Sequence, residues 1–226
     1  MQTIMDLGAQ LTSGIVTERE KAIRLHDYVR DTIKFGFNRF FDAASIDYTI
    51  SFGAGHCNAK SRLMVALLRA AGLEAFQHFV VIPRDILKGV IPSNMWWIIP
   101  AEINHSYVEV NLEGSWCEID SFIVDTPLLK AAQARLASED QPIGYGVRIE
   151  STNQWEGQSQ AFSQFDHKMM IEDHGRIDDL ESYFRSGKYR HKVLGVRFNT
   201  TFKLMGDRMV SQFNSQIDQI RQQGNN

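Results

Sequence analysis

Cysteine is scarce in this chain: among 226 residues there are two, Cys57 and Cys117. Two thiols build no disulfide framework, and without a Cys-x-x-Cys pair they build no structural zinc site of the usual kind. A basic surplus is missing as well. Lys and Arg number 24 against 27 Asp and Glu, for a net charge of -3. Nucleic-acid binders usually carry excess positive charge, so no nucleic-acid partner is expected. Long hydrophobic runs are also missing. The densest apolar cluster, Trp96 to Pro100, is far too short to cross a bilayer. The stretch MQTIMDLGAQLTSGIVTERE has neither the basic nor the apolar region of a secretory leader. These absences predict a cytoplasmic protein with no membrane association. There is no internal repeat and no low-complexity block.

Proline is thin and uneven: five residues, none beyond Pro142. Past that point the chain is richer in Gln, Asn, Phe and Met. The change of texture predicts a core over residues 1–140 and a C-terminal extension over 141–226 packed on it, together a single domain. What is present is ordinary globular composition, with 43% hydrophobic, 23% charged and 11% aromatic residues. A chain of this size buries about 70% of its unfolded surface and can support its own core.

Thr17-Glu-Arg-Glu20 has the form of a capping box, and Ala22, Leu25, Val29 and Ile33 follow at helical spacing. A second helix is predicted from about Cys57 to Ala71, ended by Gly72; its apolar residues cover more than one stripe, so it should be buried on several sides. Glu74 to Ile82 reads as a strand. His105 to Leu112 and Ser115 to Val124 read as two more, joined at Glu113-Gly114. Leu128 to Ala137, Ile177 to Phe184 and a last stretch from about Asp207 read as helices, the last with Val210, Phe213, Ile217 and Ile220 on one face. Helices first and hairpins later, without βαβ alternation, predict an α+β fold.

Cys57, His105 and Asp120 stand out chemically. Cys57 follows Gly53-Ala-Gly55-His56 and opens a buried helix. A thiol there feels the positive end of the helix dipole and the free backbone N–H groups, which favour thiolate. The same N–H groups can hold a developing oxyanion, and the glycines permit close approach. In the hairpin, a two-residue loop makes Asp120 the diagonal neighbour of His105; a four-residue loop puts them directly opposite. The longer loop, Asn111 to Gly114, also keeps Glu109 away from Glu118, and is the expected one. Either way a carboxylate beside the imidazole fixes its tautomer, and a His so held can activate a Cys.

These residues carry a resemblance. Gly55-His-Cys57-Asn-Ala-Lys60-Ser61, followed by Leu67-Leu68-Arg69-Ala70-Ala71-Gly72-Leu73-Glu74-Ala75, resembles the nucleophile helix of the transglutaminase-like superfamily. His105-Ser-Tyr-Val-Glu109-Val resembles its histidine strand, and Gly114-Ser-Trp116-Cys-Glu-Ile-Asp120 its aspartate strand. The helix Leu25 to Ile33 fits the stretch before the cysteine. The resemblance, to a small bacterial-type member, implies a papain-like fold: a nucleophile helix packed on an antiparallel sheet. It implies Cys57 as nucleophile, His105 as general base and acid, and Asp120 as the orienting carboxylate. It further implies a thioester acyl-enzyme, hydrolysis of an amide or peptide bond in a small molecule, peptide or protein, and no cofactor. The alternatives are an acyltransferase or cyclase on a carrier-bound thioester, and a catalytically silent binding module. The cross-linking animal members carry a tryptophan upstream of the cysteine; here the first is Trp96.

Trp96, Trp97, Trp116 and His56 are the expected substrate-binding residues. The segment Met95 to Pro100 reads either as a core strand or as a hydrophobic wall or lid over the cleft; Trp116 reads as a sheet-core aromatic close to the site that would shape it, and His56 either faces solvent or lines the cleft. Cys117 reads as core, His26 as a helix-face residue and His78 as a strand residue. His167, Glu172 and His174 are the most metal-like group, but their spacing is not a metal signature, and no metal is expected. Lys60 and Arg69 read as facing outward or capping the helix, with Lys60 also a candidate to hold an acidic substrate group.

Overall fold

The computed structural model describes residues 3–224. The chain begins with α1 (Ile4–Leu11), where Thr3 and Asp6 close a full capping box. In α2 (Glu18–Thr32) the N-cap Thr17 accepts from the Glu20 N–H, while its hydroxyl donates to the Glu20 carboxylate. A short parallel pairing of β1 (Lys34–Phe35) with β2 (Ala54–Gly55) brackets α3 (Ile46–Phe52). Then comes α4 (Cys57–Ala70), the central helix. Lys60, Ser61, Leu63, Met64, Leu67 and Leu68 on it are all 0% exposed, as expected of a helix covered on several sides. It packs on α1, α2 and α3 and on the strands that follow.

Those strands are β3 (Ala75–Pro83), β4 (Glu102–Leu112) and β5 (Ser115–Ile119). After them come α5 (Thr126–Ser138), the small hairpin β6 (Ile143–Gly144) with β7 (Val147–Arg148), and β8 (Glu172–Arg176). The sheet is antiparallel in the order β5-β4-β3-β8. The chain ends in α6 (Leu180–Arg185), the hairpin β9 (Lys192–Val193) with β10 (Val196–Arg197), and α7 (Phe198–Gln223). This is the expected α+β architecture, with helix α4 lying against an antiparallel sheet.

The hairpin register corrects one expectation. Leu112 pairs with Ser115, so the loop is the two residues Glu113 (φ 54°) and Gly114 (φ 85°) rather than four. Two positive φ values in succession suit a tight turn that matches strand twist. Glu109 therefore faces Glu118 after all. The repulsion is answered from elsewhere: Arg176 Nε donates to Glu109 at 2.9 Å, and His167 Nε2 meets Glu118 at 2.7 Å. Those partners come from beyond residue 160, out of reach of a strand-by-strand reading.

Three other segments differ from the sequence reading. The strand from Ser115 stops at Ile119, because the N–H groups of Asp120 and Ser121 both turn to the Ala161 carbonyl. The segment around Trp96 is a 3-10 turn, Ser93–Ile98, rather than a strand. The last helix starts at Phe198, but Gly206 (φ 70°, ψ 176°) interrupts it, so helical spacing reads cleanly only after that point.

One hydrophobic core joins α2, α4, the sheet and α5 to Phe165, Phe198, Val210, Phe213 and Ile217 from the second part of the chain. A buried ion pair secures this union. Arg221 of α7 binds Asp125, the N-cap of α5, through Nε at 2.7 Å and Nη2 at 2.8 Å, and also donates to the Phe35 carbonyl. The fork geometry suits a guanidinium against a carboxylate.

Candidate active site

The site is built at the start of α4. Gly53 (φ 73°) ends α3 in the left-handed region, and His56 is extended, so Cys57 is the first helical residue. Gly55 lies so close to its surroundings that a Cβ there would sit 3.2 Å from Thr49 and 3.3 Å from Ala59. Cys57 is half-buried and opens on a narrow cleft of about 40 Å³. That volume holds roughly three waters, so the cleft as it stands admits a slender group and no bulky one. Phe35, Phe37, Phe41, Ile82, Ile86 and Ile103 give it apolar walls; His56, Asn104, His105, Gln164 and His191 are its polar members.

The helix terminus was expected to favour thiolate. The structure reverses that balance. Burial, then the Asp42 carboxylate, push the Cys57 thiol up, and the N–H groups of Ser106 and Asn58 do not overcome them. The thiol faces the Asn58 side-chain oxygen at 3.6 Å. Cys57 therefore rests as a thiol, and its proton needs an acceptor before the sulfur can attack.

His105 sits on β4 opposite Val80, and the tight hairpin makes Asp120 its diagonal neighbour. His105 Nε2 lies 3.0 Å from Asp120 Oδ2, with the residues 2% and 0% exposed. A carboxylate only accepts, so Nε2 carries a hydrogen, and in the neutral ring Nδ1 holds the lone pair. Asp120 is held further by three backbone N–H groups, from Ser163, Gln164 and Phe165, and by the Ser163 hydroxyl. These bonds offset the desolvation of a buried carboxylate. The Phe165 ring stacks on His105 at 5.9 Å. Cys57 and His105 wall the same cleft, and the N–H of Ser106, the residue after His105, reaches the sulfur.

A second cluster went unread in the sequence. Asp42, 1% exposed, accepts from His56 Nε2 at 2.8 Å, Asn58 Nδ2 at 2.7 Å and His191 Nδ1 at 2.9 Å, and from the Tyr189 hydroxyl. Burial alone would raise its pKa; the imidazoles of His191 and His56 outweigh that and hold the carboxyl well below the usual range. His191 lies 149 positions from Asp42, so no local pattern announces the pair.

The remaining expected residues are scattered. His56 walls the cleft; Trp96, Trp97 and Trp116 do not. Trp97 is 75% exposed, Trp96 lies beneath the Arg84 guanidinium, and Trp116 beneath that of Arg176. Cys117 is buried. His78 is held between Glu109 and Asp173. His167 binds Glu118 and His174 binds Tyr183, and among the described residues no group of three or more acidic, His or Cys side chains is placed to hold a metal. Lys60, expected outside, is fully buried; its ammonium donates to the carbonyls of Ile33 and Ile123, and burial lowers its pKa to about 7. Among the described residues no helix is long and apolar enough to cross a membrane.

Residues 5–121 match the family model of the transglutaminase-like superfamily. Two solved structures are similar to this chain. One is a proposed protease from Parabacteroides distasonis, at 16% identity and a TM-score of 0.38. The other is a proposed cysteine protease from Cytophaga hutchinsonii, at 18% identity and a TM-score of 0.39. Each match covers 51% of this chain and only 22% and 35%, respectively, of those chains. No curated protein matches.

Proposed function

Because the chain belongs to the transglutaminase-like superfamily, we propose that it is a cysteine-dependent acyl-transfer enzyme with Cys57 as nucleophile, His105 as base and acid, and Asp120 as the group that orients the imidazole. His105 Nδ1 takes the thiol proton as the sulfur attacks a carbonyl carbon. Transfer in step with attack suits a thiol whose own ionisation is disfavoured by burial. The N–H groups at the start of α4, which have no partner within the helix, stabilise the oxyanion. His105 then protonates the leaving amine, and the acyl group stays on Cys57 as a thioester. Water completes the cycle, so the net reaction is hydrolysis of an amide or peptide bond. Hydrolysis comes first because water needs no extensive binding surface.

The observation that carries this reading is the His105–Asp120 bond of 3.0 Å, at the cleft that Cys57 shares. The narrow apolar walls favour a slender side chain or an extended segment of a small-molecule, peptide or protein substrate. The same walls also favour a second reading, transfer or cyclisation of an acyl group delivered as a carrier thioester. The test is intact-mass analysis of protein trapped from its native extract. An acyl adduct on Cys57 is expected, and its mass identifies the acyl half of the substrate. The same adduct on Cys57→Ala protein, or full activity of that variant, overturns the proposal.

A further inference from the structure

The cleft contains a second imidazole–carboxylate system that acylation does not use. Asp42 receives His56 Nε2, His191 Nδ1, the Asn58 amide and the Tyr189 hydroxyl. A carboxylate only accepts, so the ring hydrogens of the two histidines are on the nitrogens facing it. In the neutral rings the lone pairs are then on His56 Nδ1 and His191 Nε2. Both rings wall the cleft beside Cys57. His56 is 2% exposed and its Nδ1 is buried without a hydrogen-bond partner. A buried acceptor left unpaired is costly, and in a mainly apolar cleft its natural complement is a small ligand that donates O–H or N–H. Aromatic packing holds the pair in place: His56 stacks on Phe41 at 4.3 Å, and His191 on Phe198 at 5.4 Å.

We propose that His56 and His191, hung on Asp42, form the subsite for the acceptor that resolves the thioester, a neutral O–H or N–H nucleophile: water or a primary amine. His56 Nδ1 accepts a hydrogen bond from this nucleophile, and His191 Nε2 is its base. As the nucleophile bonds to the thioester carbonyl carbon, its proton passes to His191 Nε2. The carbon–sulfur bond breaks, its electron pair stays on the Cys57 sulfur, and the sulfur then recovers the proton from the imidazolium. Asp42 steadies that imidazolium. His191 belongs to the segment before α7, outside the region that matches the family.

This inference rests on the thioester reading, and the experiment separates the two. The probe is p-nitrophenyl acetate. Nitrophenolate release is followed by stopped flow and acetyl-Cys57 by intact mass, in water alone and with the primary amine glycinamide. His191→Asn keeps an amide N–H where Nδ1 donates to Asp42 and removes Nε2. His56→Gln keeps the donor at Nε2 and removes Nδ1. Both variants should still release a burst of nitrophenolate. The acetyl-enzyme should then accumulate and, in His191→Asn, decay about 100-fold more slowly than wild type. Slowing of the water reaction alone identifies water as the acceptor; loss of the glycinamide-dependent decay identifies an amine. Should His191→Asn fail to fold, slower decay in His56→Gln makes the same case. Decay at the wild-type rate in every folded variant, with and without glycinamide, overturns the subsite. Absence of any acetyl group on wild-type Cys57 overturns the thioester reading instead.

Discussion

Asp120 and Ser121 are neighbours in sequence and belong to two histidine–carboxylate arrangements with opposite fates. Asp120 holds His105 at the cleft. Ser121 Oγ lies 2.8 Å from His26 Nε2, and His26 Nδ1 lies 2.9 Å from Asp27. The second set has the connectivity of a serine hydrolase triad. Yet Ser121 and His26 are each 0% exposed, and the imidazole is packed against Phe122 and Trp155. Neither residue walls the cleft. The difference teaches that hydrogen-bond order alone makes no reactive site. The Ser121 set satisfies buried polar groups; the Asp120 set shares its cleft with the half-buried Cys57 thiol.

The sharpest test of that contrast removes Cys57 and Ser121 in turn. Cys57→Ala should lower turnover by about 100,000-fold or more, whereas Ser121→Ala should turn over close to wild type. The reverse order, measured on one amide or ester substrate, would break the comparison. Next come the carboxylates. Asp120→Asn should lower kcat by about 100- to 10,000-fold, less than the loss of the nucleophile, and Asp27→Asn should leave kcat nearly unchanged. Equal losses would mean that the sealed set communicates with the cleft.

Stability should separate the two sets in the other direction. Ser121→Ala strips His26 Nε2 of its buried partner and should cost about 1–3 kcal/mol in urea unfolding; no change would mean that water replaces the hydroxyl. The pH dependence of stability follows from two buried groups. Burial lowers the His26 pKa from its ordinary 6.5, although Asp27 partly opposes this. As pH falls below roughly 6.5 the unfolded chain takes up a proton that the folded chain refuses. Stability is therefore lost downward from that point until the folded pKa is passed. Lys60 has the same sign in a higher window: between about 7 and 10.5 the unfolded state binds more protons, so stability rises with pH there. Denaturation across this range should show both slopes, and a flat profile would contradict the burial argument.

The smallest effect expected is on Cys57 alkylation. With its thiol pushed up, its rate with iodoacetamide should keep rising past roughly pH 8.5. Asp42→Asn removes a negative charge that opposes ionisation and should move the profile to lower pH. A plateau below pH 8.5 in the wild-type protein would restore the preformed thiolate.

Legibility followed distance along the chain. Helix α4 and its cysteine were readable because Gly53, Gly55 and Gly72 punctuate the chain where the helix begins and ends. The His105 and Asp120 strands were readable because a short hairpin brings them together under either loop length. The register itself was misread, since Arg176 and His167, which relieve the Glu109–Glu118 pair, arrive from far downstream. Trp96 and Trp97 were expected at the cleft for their size and their position before His105, but hydrophobicity does not say which side of a 3-10 turn faces the site.

Local pattern thus determined the α+β class, the helix that presents Cys57, and the pairing of His105 with Asp120, all of which rest on contacts between nearby residues. Tertiary structure alone decided the rest. It wrapped Asp120 in the N–H groups of 163–165, set His56 and His191 on Asp42, and buried Lys60. It also turned the expected thiolate into a resting thiol. The physical reason is that burial and electrostatic fields sum over whatever surrounds a group in space, and Gln164 and His191 of the cleft wall, with the N–H groups of 163–165 on Asp120, come from far along the chain.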